Sequence, residues 1–287
     1  NNQNIFDRNA LRRNRSRASK AMPAHDFLFA DVGQRLLDRL DMVKRTFPRT
    51  LDLSCHTGHL KKLISPNHGT ECFINCDPSA AMACTAGLPS IVADEEALPF
   101  ANQSLDLVLS SLSLHWVNNL PLALAQILRC LRPDGLFLGA MFGGNTLSDL
   151  RQSLISATNS RSQNRFPRVS PFIEVREFGN LMQKIGFAMP VIDVDHITVT
   201  YPNLKTLMTD LRGMGEANVL SNRCKHFTPK TILQKAAALY PPCADGSTEH
   251  INVEFEVLYA MGWAPHPEQQ KPLLRGTGKE KLEQVLG

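Results

Sequence analysis

The sequence has no apolar run that approaches the ~18 residues needed to cross a bilayer. Its most apolar stretches, 105–117 and 135–142, are broken by Ser, His or Gly and read as buried strands. It has no C-x-x-C pair. The seven cysteines (Cys55, Cys72, Cys76, Cys84, Cys130, Cys224 and Cys243) are an odd number, which argues against both a disulfide framework and a zinc ribbon. They read as reduced, packed thiols, so a reducing compartment is expected, cytosol or an organelle matrix. There is no G-x-G-x-x-G, which disfavours a nicotinamide enzyme. Internal repeats and low-complexity tracts are also missing. Net charge is only +4, too small by itself to indicate nucleic acid. Acids are absent from one place that matters: Arg8, Arg12, Arg13, Arg15, Arg17 and Lys20 follow one another with none between them. That run reads as a solvated helix face, as a docking arm for an acidic or phosphate-rich partner, or as the end of a transit peptide. A chain that begins at Asn1 is expected to have been processed or trimmed.

What is present is an ordinary globular composition, 43% hydrophobic and 20% charged over 287 residues. Leu28, Val32, Leu36, Leu37 and Leu40 recur at helical spacing, so 1–45 reads as helical. Strands and helices then alternate. Strands are expected at 50–53, 71–76, 90–93, 104–112 and 135–142. Helices are expected at 58–64, 78–86 (with Pro78 in its first turn) and 120–131, the last stopped by a turn at Arg132-Pro133-Asp134-Gly135. Such alternation implies a parallel, doubly wound sheet. Beyond Gly143-Gly144 the pattern changes to a polar loop at 156–170, helices at 172–185, 204–212 and 228–239, strands at 191–200 and 252–262, a turn-rich loop at 241–248 and a surface tail from 265.

Four features fall at the carboxyl ends of successive strands, where such folds bind ligands. They are the loop Asp52-Leu53-Ser54-Cys55-His56-Thr57-Gly58, the acid Asp77, the acid Asp94 and the segment Ser110-Ser111-Leu112-Ser113-Leu114-His115-Trp116. Asp77 follows Asp52 by 25 positions, close to the ~20 typical between a phosphate-type loop and a ribose-binding acid. The set, with Leu98-Pro99-Phe100, resembles the class I S-adenosylmethionine methyltransferases. That resemblance implies an α/β, doubly wound Rossmann-like fold with an N-terminal helical extension and a C-terminal helical insertion. It also implies that Asp52 meets the methionine ammonium, Asp77 the ribose and Asp94 the adenine amine, with Ser54, His56, Gly58 and Ser110 lining the cofactor.

The loop departs from the family pattern. Ser54 and His56 stand where the first two glycines belong, and only Gly58 remains. Glycine there serves positive φ and close backbone approach, and another residue costs ~1–2 kcal/mol. An imidazole at 56 would also take the volume of the methionine moiety or ribose. S-adenosylmethionine binding is therefore expected to be impaired or lost, unless His56 points away and the loop has shifted. No metal site is expected. Cys55-His56-x-x-His59 lacks the partners for a tetrahedral set and reads as a loop and a surface histidine. His266-Pro267-Glu268 does not read as a ligand pair. No catalytic residue is assigned; His115 reads equally as a general base or as a rim residue beside Trp116.

A closer resemblance covers nearly the whole chain. It rests on Asn4-Ile5-Phe6-Asp7-Arg8, His25-Asp26-Phe27-Leu28, Ala93-Asp94-Glu95-Glu96, Ser110–Asn118, Ala140–Leu147, Val169-Ser170-Pro171-Phe172, Asp210–Asn218 and Gly262-Trp263. These are similar to the mitochondrial complex I assembly factor 5 family, the arginine hydroxylases, and more distantly to malonyl-carrier-protein O-methyltransferases. The resemblance implies a matrix protein peripheral to the inner membrane, early action in respiratory complex I assembly, arginine hydroxylation on an iron–sulfur subunit and a small helical partner protein. Two other readings stand beside it: a cofactor-free scaffold in complex I or mitoribosome assembly, meeting an RNA–protein particle through the basic arm, and an O-methyltransferase argued from fold analogy. The expected organisation is a helical arm at 1–45 and a methyltransferase-like domain at 46–287. Within the latter, the core is 46–145, a cap and final strands fill 146–264, and a surface tail covers 265–287.

Overall fold

A computed structural model describes residues 4–158, 167–242 and 249–270. The helices are α1 (Arg8–Ala18), α2 (Phe27–Asp41), α3 (His59–Leu63), α4 (Ala80–Ala86), α5 (Leu120–Cys130), α6 (Ser148–Ala157), α7 (Val175–Ile185), α8 (Leu204–Gly213) and α9 (Lys230–Ala238). The strands are β1 (Arg49–Leu53), β2 (Cys72–Asp77), β3 (Ser90–Val92), β4 (Leu105–Ser111), β5 (Leu131–Phe142), β6 (Ala188–Tyr201) and β7 (Ile251–Trp263).

The strands form one sheet in the order β3-β2-β1-β4-β5-β7-β6. The first five run parallel. β7 pairs antiparallel with β5, and β6 antiparallel with β7. The alternating pattern of 191–200 and 252–262 thus belongs to a hairpin-like pair that closes one edge, and the sheet is mixed. Strand order reverses between β1 and β4, so the crevice for a ligand opens above their carboxyl ends. Asp52, Asp77 and Ser110 are brought there because each lies at or near the end of its strand.

Two apolar layers sandwich the sheet. One joins Phe29, Leu36 and Leu40 of α2 with Leu107, Leu109, Leu138 and Phe255. The other joins Leu124 and Ile127 of α5 and Phe178 and Met182 of α7 with Val108, Phe137 and Leu258. The segment before α2 is packed as well: Phe6, Ala10 and Leu11 lie on Trp116, Val219 and Leu220. No helix among the described residues is long and apolar enough to cross a membrane.

Two local expectations change. Pro78 lies outside α4; the cap is Ser79, whose hydroxyl accepts from the Met82 N–H, so a side-chain cap, not proline, starts this helix. The quartet Arg132–Gly135 does not separate α5 from the next strand, because β5 already begins at Leu131, paired with Leu105. Asp134 adopts φ 65°, and the register slips between Leu105 and Leu107. The turn chemistry is spent on a bulge within the strand. The rest of the polar loop and the turn-rich loop, at 159–166 and 243–248, and the tail at 271–287 lie outside the described residues.

Candidate functional site

The loop after β1 keeps the backbone that its missing glycines would favour. Ser54 has φ 61°, His56 φ 49° and Gly58 φ 78°. At Gly58 a Cβ would meet the Ala86 Cα and carbonyl oxygen at 2.9 Å, so glycine is required there by space as well as by φ. The loop has not opened to accommodate its substitutions; it carries them at about 1–2 kcal/mol each. His56 does not reach solvent: it is 2% exposed, and its ring meets Phe29 of α2 edge-on at 4.5 Å between centroids. Neither ring nitrogen has a hydrogen-bond partner among the described residues. Burial, with Arg15 adding to it, holds the imidazole well below its ordinary pKa, so it is neutral.

The acids at the strand ends are all inside. Asp52 is buried with both oxygens unpartnered. Burial, then the charge of Asp77, pushes it up to about 8. Asp77 accepts from the Ser79 N–H at 2.7 Å and the His56 N–H at 3.2 Å. Burial raises it to about 6, against the opposing pull of Arg15. Asp94 lies two residues past β3. Its neighbour Glu95 is fully buried and accepts from Ser113 Oγ at 2.7 Å and from the Ser54 hydroxyl. Burial would raise Glu95, but Arg8 and Arg15 outweigh it and hold the carboxyl at about 2.

The counter-charges come from α1. Arg8, Arg12 and Arg15 are spaced i, i+4, i+7 and share one helical face. Arg8 donates to Asp94 at 2.8 Å and pairs with Glu95. Arg12 pairs with Asp94 at 2.9 Å. Arg15 is fully buried: its guanidinium lies 3.3 Å from Asp77, 3.8 Å from Glu95 and 3.3 Å from Ser113 Oγ. Half of the basic run is thus folded onto the crevice. Arg8 and Arg15 therefore do not belong to a solvated face, while Arg12, Arg13, Arg17 and Lys20 keep substantial exposure.

These residues do not fit S-adenosylmethionine as the chain is folded. The carboxylate expected to hold the ribose is taken by Arg15, and the acid expected at the adenine by Arg8 and Arg12. Beside Asp52, where the methionine ammonium would sit, the free space is only ≈10 Å³, walled by Phe29, Ser54, His56 and Ser111. Small-molecule sites ordinarily need ~300 Å³ or more. Ser110 is buried in β4 opposite Gly139, its hydroxyl unpartnered, and Ser111 rather than Ser110 borders that void. The Cys55 thiol, raised by burial, faces the His56 carbonyl. Among the described residues no group of three or more His, Cys, Asp and Glu is placed to share a metal ion.

Sequence reasoning missed Arg15, Glu95 and Phe29 as residues of this site. A signal existed for two of them: a basic face at i, i+4, i+7 and the acid pair Asp94-Glu95, opposite in charge.

The His115 side chain is fully enclosed. Its Nε2 lies 3.1 Å from Glu216, which also accepts from Trp116 Nε1 at 2.7 Å. The rings of Phe142 and Phe172 pack on it at 4.7 and 5.6 Å. Trp116 and Glu216 also line a cavity of ≈340 Å³.

Comparison with known proteins agrees with this architecture. A family model described as a methyltransferase domain matches residues 11–190. The chain is 40% identical over 280 residues to the mitochondrial arginine-hydroxylase NDUFAF5 of Danio rerio, covering 96% of this chain and 87% of that one. It is 31% identical to the malonyl-[acyl-carrier protein] O-methyltransferase of Methylovorus sp., covering 93% of each. Among solved structures it superposes on a candidate methyltransferase of Bacillus halodurans with a TM-score of 0.57 at 12% identity, over 81% of this chain and 99% of the other. The chain belongs to the methyltransferase-domain family and, within it, to the family of the mitochondrial arginine-hydroxylase NDUFAF5.

Proposed function

We propose that this chain is a mitochondrial assembly factor of the arginine-hydroxylase family, acting on a protein partner in the matrix during respiratory complex I assembly. The observation that carries the reading is 40% identity maintained over 96% of the chain to the arginine-hydroxylase NDUFAF5. In this reading the methyltransferase core is a binding scaffold used without S-adenosylmethionine. Its support is Arg15 between Asp77 and Glu95 and the filled space beside Asp52. A methyl-transfer reading would need α1 to leave the crevice and the five ion pairs of Arg8, Arg12 and Arg15 to break.

The test is complementation. Cells lacking their own copy of this family are given the chain, addressed to mitochondria, and complex I is followed on native gels with mass spectrometry of arginine in its subunits. Recovery of assembled complex I supports the reading. Full expression in the matrix without recovery contradicts it.

A further inference from the structure

A second site lies outside the cofactor crevice. The ≈340 Å³ cavity behind Trp116 has aromatic walls, Phe142, Phe172 and Phe255 among them, and one buried charge, Glu216. Glu216 is 8% exposed as a residue. One carboxylate oxygen accepts from Trp116 Nε1 and lies against His115 Nε2, while the other has no partner among the described residues. A buried carboxyl group with one oxygen unpartnered in apolar surroundings costs several kcal/mol unless a donor or counter-charge meets it. The arginines at the cavity do not supply one. Arg168 donates to Thr228 at 2.6 Å. Arg223 donates to the Leu220 carbonyl at 2.8 Å and to Asp7 at 3.0 Å. Arg212 is exposed at the rim. Beside the cavity runs a wider groove of ≈1050 Å³ that shares Pro167, Val169 and Phe172 with it and is open to solvent along Ile5, Pro171 and Glu174.

We infer that the Glu216 cavity receives an arginine side chain of a protein segment lying in the adjoining groove. The chemistry selects this ligand. A guanidinium is planar and weakly hydrated, stacks on aromatic faces and offers donors to a carboxylate oxygen. An ammonium is compact and strongly hydrated and loses more on entering such walls. The groove explains why the arginine belongs to a chain: a free amino acid would fill the cavity and leave the groove unused. Glu216 is a recognition residue here, and the inference rests on the arginine-directed reading proposed above.

The probe is the capped peptide acetyl-Val-Val-Arg-Val-Val-amide, compared with versions carrying Lys, Gln or Glu at the centre. Binding to the full chain is followed by calorimetry and by tryptophan fluorescence, since Trp116 lines the cavity. The arginine peptide is expected to bind at least about tenfold more tightly than the lysine peptide, a difference of ~1.4 kcal/mol. Glu216→Gln keeps an oxygen to accept from Trp116 and is expected to abolish that preference while leaving the melting temperature nearly unchanged. Lys184→Gln, exposed on α7 away from both cavity and groove, is expected to leave it intact. Tighter binding of the glutamate peptide, equal arginine and lysine binding, no binding of any peptide, or an unchanged preference in Glu216→Gln overturns the inference. The complementation assay separates the two claims. Rescue by the wild type and by Glu216→Gln alike sinks the pocket alone; arginine selectivity without rescue sinks the assembly role alone.

Discussion

Replacing Arg15 by methionine keeps the side-chain stem and removes the guanidinium from the heart of the crevice. Asp77 then retains the Ser79 and His56 N–H groups, and Glu95 retains Arg8, Ser54 and Ser113. Removing one member of a buried ion pair costs ~3–5 kcal/mol. The contacts of Arg15 are long, 3.3–3.8 Å, and its partners keep other donors, so the low end applies, about 3 kcal/mol. For a chain of this size that is roughly 6–12 °C in Tm. The loss depends on pH, and its sign follows from Asp77. Its folded pKa of about 6 lies above the ordinary 3.8 and rises further without Arg15. Above about pH 4 the unfolded chain has released this proton while the native state still holds it, so stability falls as pH rises toward the folded value. The deficit of Arg15→Met is therefore small near pH 5 and largest near pH 8. Urea denaturation followed by circular dichroism at both pH values measures it. Equal stability of variant and wild type at about pH 8, or a deficit that does not grow with pH, refutes the role given to Arg15.

Asp52→Asn has a pH signature of its own. Asp52 titrates at about 8 in the folded chain against 3.8 ordinarily, so it removes stability as pH rises from about 4 to about 8. The asparagine variant gains on the wild type by up to about 1.4 kcal/mol per pH unit across that window, roughly 2–3 kcal/mol between pH 5 and pH 7. Parallel stability profiles would show that Asp52 is not a buried, unpaired acid. The double change Ser54→Gly and His56→Gly relieves φ strain of about 1–2 kcal/mol per position but empties the space against Phe29 and gives up the Ser54–Glu95 bond. By itself it is expected to produce no S-adenosylmethionine-dependent change in Tm, because Arg15 still occupies the crevice. Adding Arg15→Ala is the step expected to open binding, and thermal melts with and without ligand compare the two.

The fold was legible because its signals are local and repeated. Buried runs such as 105–111 alternate with helices of clear apolar face such as 120–130, and acids stand at ordered strand ends. The antiparallel closing pair was less so, since alternation in 188–201 identifies a strand but not its direction. Within the site, Asp52 and Asp77 stand where the spacing put them. The loop distortion at 54 and 56 was expected, and the structure shows that positive φ is retained. What the sequence concealed was the occupant of the crevice. A run of arginines reads as solvent-facing because charge prefers water. Only the approach of α1 to acids more than sixty residues away makes burial of Arg15 favourable. Glu216 was hidden for the same reason: it meets His115 and Trp116 across about a hundred positions.

The central claim is that this chain keeps the methyltransferase architecture while its own arginines occupy the cofactor's place. The most direct measurement is calorimetric titration of the purified wild-type chain with S-adenosylmethionine and with its demethylated product, paired with thermal melts. The expected result is no binding heat and no stabilisation at about 1 mM ligand. Micromolar binding, with the ~2.7 kcal/mol of stabilisation due at a hundredfold excess over Kd, would contradict it.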